Sequence, residues 1–169
     1  MTPQENTSDF WEVVVATDPT NPHGLVGRVG ATQFSIGVKD GASGMSPDLD
    51  PYDLLNASLA ACTAMTVRFQ AQRRELSLER VEVGVSFQHA ADVDKASFQR
   101  MLVLEGDLDE QERAFLLEAA NLCPVSKILR TGADIHTRLD AATSDYNAST
   151  SSSYADDLAE LEIPNIDPD

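Results

Sequence analysis

Long apolar runs are missing from this sequence. No stretch of eighteen apolar residues occurs, so neither a membrane-spanning helix nor a membrane partner is expected. The opening segment MTPQENTSDFWEVVV has no basic patch followed by an apolar stretch, so no signal peptide is expected. Positive charge is scarce: twelve Lys and Arg stand against 28 Asp and Glu, for a formal charge of -16. A phosphate backbone would be repelled, which argues against nucleic acid as a partner. Cysteine is limited to Cys62 and Cys123, 61 residues apart, which is no disulfide scaffold and favours a reducing, cytoplasmic setting. His23, His89 and His136 are the only histidines, and none stands at ligand spacing from a cysteine, so no metal site is expected. Glycine-rich phosphate loops are absent as well, and nothing calls for a bound cofactor.

With 169 residues and 42% hydrophobic content, the chain suffices for one domain with a core of its own. Its acidity is unevenly spread. Residues 140–169 hold eight of the acidic groups and none of the basic ones, together with the run Ser149-Thr150-Ser151-Ser152-Ser153. Ordering a residue costs about 1–2 kcal/mol, and such a segment has little apolar surface to offset that. We therefore expect a folded body over 1–139 and an acidic, serine-rich, flexible tail over 140–169. Within the tail, Leu158, Leu161 and Ile163 could still dock or form a short helix.

Phe10–Ala16, Gly24–Gly30 and Thr32–Lys39 read as three strands, followed by a loop over Gly41–Leu49. Asp50 then suits an N-cap, Pro51 the first helical position and Asp53 the first turn of a helix reaching about Arg74. Leu55, Leu59, Cys62, Thr66 and Phe69 recur at spacings of three and four on one stripe. The helix is apolar nearly all round until Arg68, so burial is expected, against a second copy of itself as one option. Arg80–His89 alternates with Val81, Val83, Val85 and Phe87 on one face, and Phe98–Asp107 reads as its neighbour. Helices over Asp109–Ala120 and Cys123–Arg130 follow, then a last strand over Ala133–Leu139. The order βββ-α-ββ-αα-β predicts an α+β domain with antiparallel sheets packed around the long helix.

The two thiols carry the candidate chemistry. A thiol attacks only as thiolate, and its free pKa of about 8.5 leaves few of them at neutral pH. Cys123 stands before Pro124 where a helix begins, within reach of the backbone donors of Val125 and Ser126, with Lys127 one turn on. Cys62 sits mid-helix on an apolar stripe, where desolvation would raise its pKa. Read from its surroundings alone, it is as well explained as a small buried hydrophobe. A Cys–His hydrolytic pair has no local signature. Asp53 with Glu79 or Glu82 could form a carboxylate pair, although a helix cap and a strand surface account for them.

Over residues 33–139, through DPYDLLNASLAACTAMTVRF and LDEQERAFLLEAANLCPVSKIL, the sequence resembles the OsmC/Ohr family, and within it the OsmC-like branch. That resemblance implies an intertwined homodimer whose long helices form the core, with the active sites at the interface. It also implies thiol-dependent reduction of organic hydroperoxides by Cys62 as the attacking residue and Cys123 as the resolving one. The substrate would be an organic hydroperoxide, the electron donor a dithiol, and no cofactor would be needed. The family's activating arginine comes from the N-terminal sheet or the loop after it. Arg28, the only arginine before the long helix, is the candidate, beside its plainer reading as a surface strand residue. Asp53 replaces the family's glutamate, while Ser126 and Lys127 replace its histidine and arginine. The alternative function is a dimer that keeps fold and cysteines but serves as a redox sensor or binding protein.

Overall fold

The computed structural model describes residues 13–18, 24–37, 49–88, 97–137, 139 and 161. They belong to two compact units, Met1–Pro51 with His136–Ser151, and Tyr52–Ile135 with Ser152–Asp169. In the first unit, β1 (Val14–Thr17), β2 (Leu25–Val29) and β3 (Thr32–Ile36) form an antiparallel meander in that order. Val14 stands opposite Arg28, and Gln33 opposite the same arginine on the other side. The outer ends of the expected first and third strands, residues 10–12 and 38–39, lie outside the described residues.

The second unit is built on α1 (Pro51–Arg73), which starts at the proline directly after Asp50. Its end is closed by a paired-bond motif: Leu76 N–H donates to Ala71 O at 2.9 Å and Glu75 N–H to Gln72 O at 3.2 Å. Glu75 takes the left-handed position there, with φ 54°. The buried stripe of α1 runs through Leu59, Cys62, Thr63, Thr66, Val67, Gln70 and Ala71. The expected stripe therefore holds at Leu59, Cys62 and Thr66, while Leu55 and Phe69 are only half-buried. The described residues of one chain do not bury α1 all round. Ala57, Ala61 and Met65 are exposed, because the sheet and helices of this unit cover only one side of α1.

Two long strands follow, β4 (Ser77–Gln88) and β5 (Ser97–Asp107), paired antiparallel. Alternation puts Phe98, Arg100, Leu102 and Leu104 on the half-buried face of β5, with Met101 and Val103 outside. The register slips between Leu78 and Arg80, so Leu78 and Val81 both turn inward. Gly106 makes this bulge possible. Its φ is +141°, and a Cβ there would lie 2.0 Å from Ser77 O. On the outer face Arg80 bridges Glu82 and Glu105, which accounts for Glu82 as a strand-surface charge.

Helix α2 (Glu110–Asn121) is opened by a capping box in which Asp109 and Glu112 satisfy each other's backbone N–H. Arg113 reaches back to Leu104 O at 2.8 Å and ties the helix to β5. Val67, Ala71, Leu108, Phe115, Leu116 and Ala120 form the main core, with Leu76, Leu78, Val81, Leu102 and Leu104 against it. Helix α3 (Pro124–Thr131) follows after two residues. The expected last strand is not found: residues 132–137 join no ladder, and Ile135 is 89% exposed. A strand needs a neighbour for its backbone groups, and the described residues provide none there. Leu161 is the one described residue of the expected flexible tail. It is buried, and its carbonyl accepts from Gln70 Nε2 and Arg73 Nη1, each at 3.2 Å. No helix among the described residues is long and apolar enough to cross a membrane.

Candidate active site

Tertiary packing brings the two sulfurs together. Cys62 lies on the inner stripe of α1 and Cys123 caps α3, and with Leu59 they form a second buried cluster. Val85, Phe98, Val125 and Leu129 pack around it. Cys62 is 3% exposed and Cys123 is fully buried. Tyr52 stacks on Phe87 at 4.5 Å, and Phe87 meets Phe98 at 5.1 Å, so an aromatic row extends from the start of α1 to the cluster.

The first turn of α3 serves both thiols. Ser126 N–H donates to Cys123 Sγ at 3.3 Å, and Val125 N–H to Cys62 Sγ at 3.4 Å. These N–H groups have no partner within the helix, and Pro124 at its first position has no N–H to satisfy. They also carry the positive end of the helix dipole, which favours a thiolate. Cys62 hydrogen-bonds to Cys123 directly.

Arg100 approaches from β5. Nη1 donates to Thr63 Oγ1 at 3.0 Å and to Ala120 O at 2.9 Å, while Nη2 donates to Asn121 Oδ1 at 2.8 Å. Thr63 Oγ1 in turn lies 3.6 Å from Cys123 Sγ. The hydroxyl has one proton and two acceptors, because Leu59 O is 2.7 Å away. That carbonyl already faces the helical N–H of its own turn, so the proton is free to serve a charged sulfur.

Together these contacts draw the Cys123 thiol down from 9.0 to about 6. The hydrogen bond with Cys62 contributes most, opposed by burial, and Thr63, the Ser126 N–H and the charge of Arg100 add to the lowering. The chemical consequence is a Cys123 thiol that ionises more readily than a free one, packed in the same buried cluster as the Cys62 thiol.

Of the three site residues read from the sequence, Cys62 and Cys123 meet here. Arg28 lies exposed on β2 in the first unit, with no ion pair among the described residues. Lys127, expected to help Cys123, is exposed as well. Sequence reading missed Arg100, Thr63 and the Val125 donor to Cys62. A signal for Arg100 existed, since the alternation Phe98, Arg100, Leu102, Leu104 sets one arginine among apolar residues on an inward face. No group of metal-ligating side chains occurs among the described residues. A recess lined by Arg74, Leu76, Asp109, Glu112 and Phe115 shares no residue with the thiol cluster.

Several solved structures share this fold at low identity. An OsmC-like protein from Mycoplasma pneumoniae is 12% identical, covering 73% of this chain and 89% of its own, with a TM-score of 0.60. The organic hydroperoxide resistance protein OsmC from Legionella pneumophila is 21% identical, covering 72% and 91%, with a TM-score of 0.52. OhrB of Bacillus subtilis, an organic hydroperoxide resistance protein, is 24% identical, covering 70% and 88%, with a TM-score of 0.51. No curated protein matches the chain in sequence. The family model described as OsmC-like protein matches residues 42–138, more than half of the chain and a span that includes both cysteines, and the chain therefore belongs to the OsmC-like protein family.

Proposed function

We propose that this protein is a thiol-dependent peroxidase that reduces organic hydroperoxides through Cys62 and Cys123. The observation that carries this reading is the packing of two buried thiols in one cluster at the N-terminus of α3, each accepting from a backbone N–H of its first turn. The Cys123 thiolate takes the Cys62 proton, and the Cys62 sulfur attacks the distal oxygen of the hydroperoxide. The O–O bond breaks, and the departing alkoxide takes the proton back from Cys123 and leaves as the alcohol. Cys62 is now a sulfenic acid, and Cys123 is again a thiolate. It attacks the Cys62 sulfur, the S–S bond forms, and hydroxide leaves to become water with a proton from solvent. A dithiol donor then supplies two electrons and two protons and restores both thiols by exchange.

The apolar lining of Leu59, Val85, Phe98, Val125 and Leu129 supports a hydrocarbon-bearing peroxide over hydrogen peroxide. A dithiol donor fits a reducing cytoplasm, and the cycle needs no cofactor. In this reading the active form is a homodimer. The exposed Ala57, Ala61 and Met65 side of α1 supports that, because it is a thin apolar helix face of the kind a second copy covers. Arg28 enters on the family resemblance alone, and its test is the rate of Cys62 oxidation in Arg28→Met against the parent chain. For the function itself the test is consumption of cumene hydroperoxide with a dithiol reductant, by the parent chain and by Cys62→Ser. Turnover in the parent and none in the variant is expected; equal turnover in both refutes the reading.

A further inference from the structure

Arginine is an unusual residue for the inward face of a strand. Arg100 stands there between Phe98 and Leu102 with its side chain half-buried, and its bonds to Thr63, Ala120 and Asn121 run to the thiol region rather than to a carboxylate. Three contacts fix the guanidinium. Ala120 O belongs to the last turn of α2, where carbonyls lack helical partners. Asn121 Oδ1 ends the same helix, and Thr63 Oγ1 lies on α1 one residue beyond Cys62. One planar group therefore ties β5, α1 and α2 together at the joint where α2 gives way to Cys123.

We infer that Arg100 is a positioning residue for the thiol pair: through Thr63 it sets where the Cys123 sulfur lies against Cys62, and it supplies the fixed positive charge beside them. This deepens the peroxidase reading and rests on it for its purpose, although the contacts exist without any substrate. The guanidinium does not touch sulfur. It donates to the oxygen of Thr63, which leaves that hydroxyl's proton for Leu59 O or Cys123 Sγ. A hydroxyl that accepts from a cation is a stronger donor, because the charge polarises its O–H bond. When Cys123 ionises, the proton turns to the thiolate, and Leu59 O keeps its backbone partner. When Cys123 forms a disulfide, it turns back. The arrangement stabilises the state in which Cys123 is the base and resolving nucleophile, without a charged side chain blocking the approach of one sulfur to the other.

Arginine suits this task better than lysine, since its fork serves Ala120 O, Asn121 and Thr63 at once from one plane. The other groups acting on Cys123 are the Cys62 thiol from α1 and the Ser126 N–H of α3, with Arg100 as the one formal charge among the described residues.

The test is a pH titration of the full-length protein, followed by the ultraviolet absorbance of thiolate, with Cys123→Ser as baseline and no peroxide present. The parent chain should titrate near pH 6. Arg100→Met, which keeps the aliphatic stem, should move that midpoint up by about one unit, the low end of what a neighbouring cation does. Arg100→Lys should bring it part of the way back. Thr63→Val leaves the arginine in place and removes only the link, so it too should raise the midpoint. A merely structural Arg100 would lower the melting temperature and leave the midpoint of the folded protein alone. An unchanged midpoint in Arg100→Met overturns the inference. Should that variant fail to fold, an unchanged midpoint in Thr63→Val overturns it equally. A parent chain that titrates as expected but does not turn over peroxide refutes the peroxidase reading and leaves the role of Arg100 standing.

Discussion

The Val125 backbone N–H donates to Cys62 Sγ at 3.4 Å, joining residues 63 positions apart. By this bond a thiol in the middle of α1 shares in the N-terminus of α3. The donor that Cys62 lacks in its own helix arrives from another one, one residue before the donor that serves Cys123. The two sulfurs thus sit in one electrostatic environment, which is what an attack–resolution cycle requires of them.

Removing the resolving thiol separates the two steps. Cys123→Ser treated with one equivalent of cumene hydroperoxide should gain one oxygen at Cys62 and form no intramolecular disulfide. The parent chain should lose two hydrogens instead. Intact mass with and without a sulfenic-acid trap distinguishes these products. A two-hydrogen loss in the variant would show that Cys123 is not the partner.

Ionisation of Cys123 couples to stability with a definite sign. Its folded pKa is about 6 against 9.0 as a free group, so between those values the unfolded chain holds a proton that the native one does not. Stability from this group is therefore complete above pH 9.0, declines as pH falls, and is lost below about 6. The slope of a single such group is at most about 1.4 kcal/mol per pH unit. Urea melts of the reduced parent chain and Cys123→Ser should differ increasingly from pH 6 to 9, and parallel curves would contradict the assignment.

Gly106→Ala should destabilise the fold by more than about 2 kcal/mol, since the positive φ and the overlap with Ser77 O compound each other. The bulge it serves turns Leu78 and Val81 into the main core. Chemical denaturation measures the loss. A change under half that size would mean that the bulge relaxes freely.

Leu161→Ala tests the docking of the distal chain. Leu161 is 4% exposed and its carbonyl takes two donors from α1. Truncating a buried leucine costs about 2–5 kcal/mol where the site cannot collapse. We expect the low end, about 2 kcal/mol, with peroxide turnover retained, as read by thermal melting and activity side by side.

Local rules made much of the fold legible. Pro51 after Asp50 marked the start of α1, alternation from Val81 to Phe87 marked β4, and the run Asp109–Ala120 marked α2, although its capping box emerged only in the structure. The last strand was misread because apolar and β-branched residues in Ala133–Leu139 indicate a capacity to pair, while pairing itself depends on an available edge. Burial of α1 was legible as a capacity only: the described residues of one chain cover the side with Leu59, Cys62 and Thr66, and composition does not name what meets the Ala57, Ala61 and Met65 side. Docking of Leu161 was visible only as an option, since three apolar residues in an acidic tail do not name their receptor.

The sequence by itself determined where each thiol stands along the chain: Cys62 on an apolar helical stripe, and Cys123 ahead of a proline at a helix start. Spacing and residue type suffice for that, because helix periodicity and capping act within a few residues. Only the tertiary structure decided that the two share a cluster, that Val125 serves the far cysteine, and that Arg100 rather than Lys127 is the cation beside them. Hydrogen bonds and Coulomb forces act over a few ångströms in space, and separation along the chain says little about which groups the packed elements bring within that range.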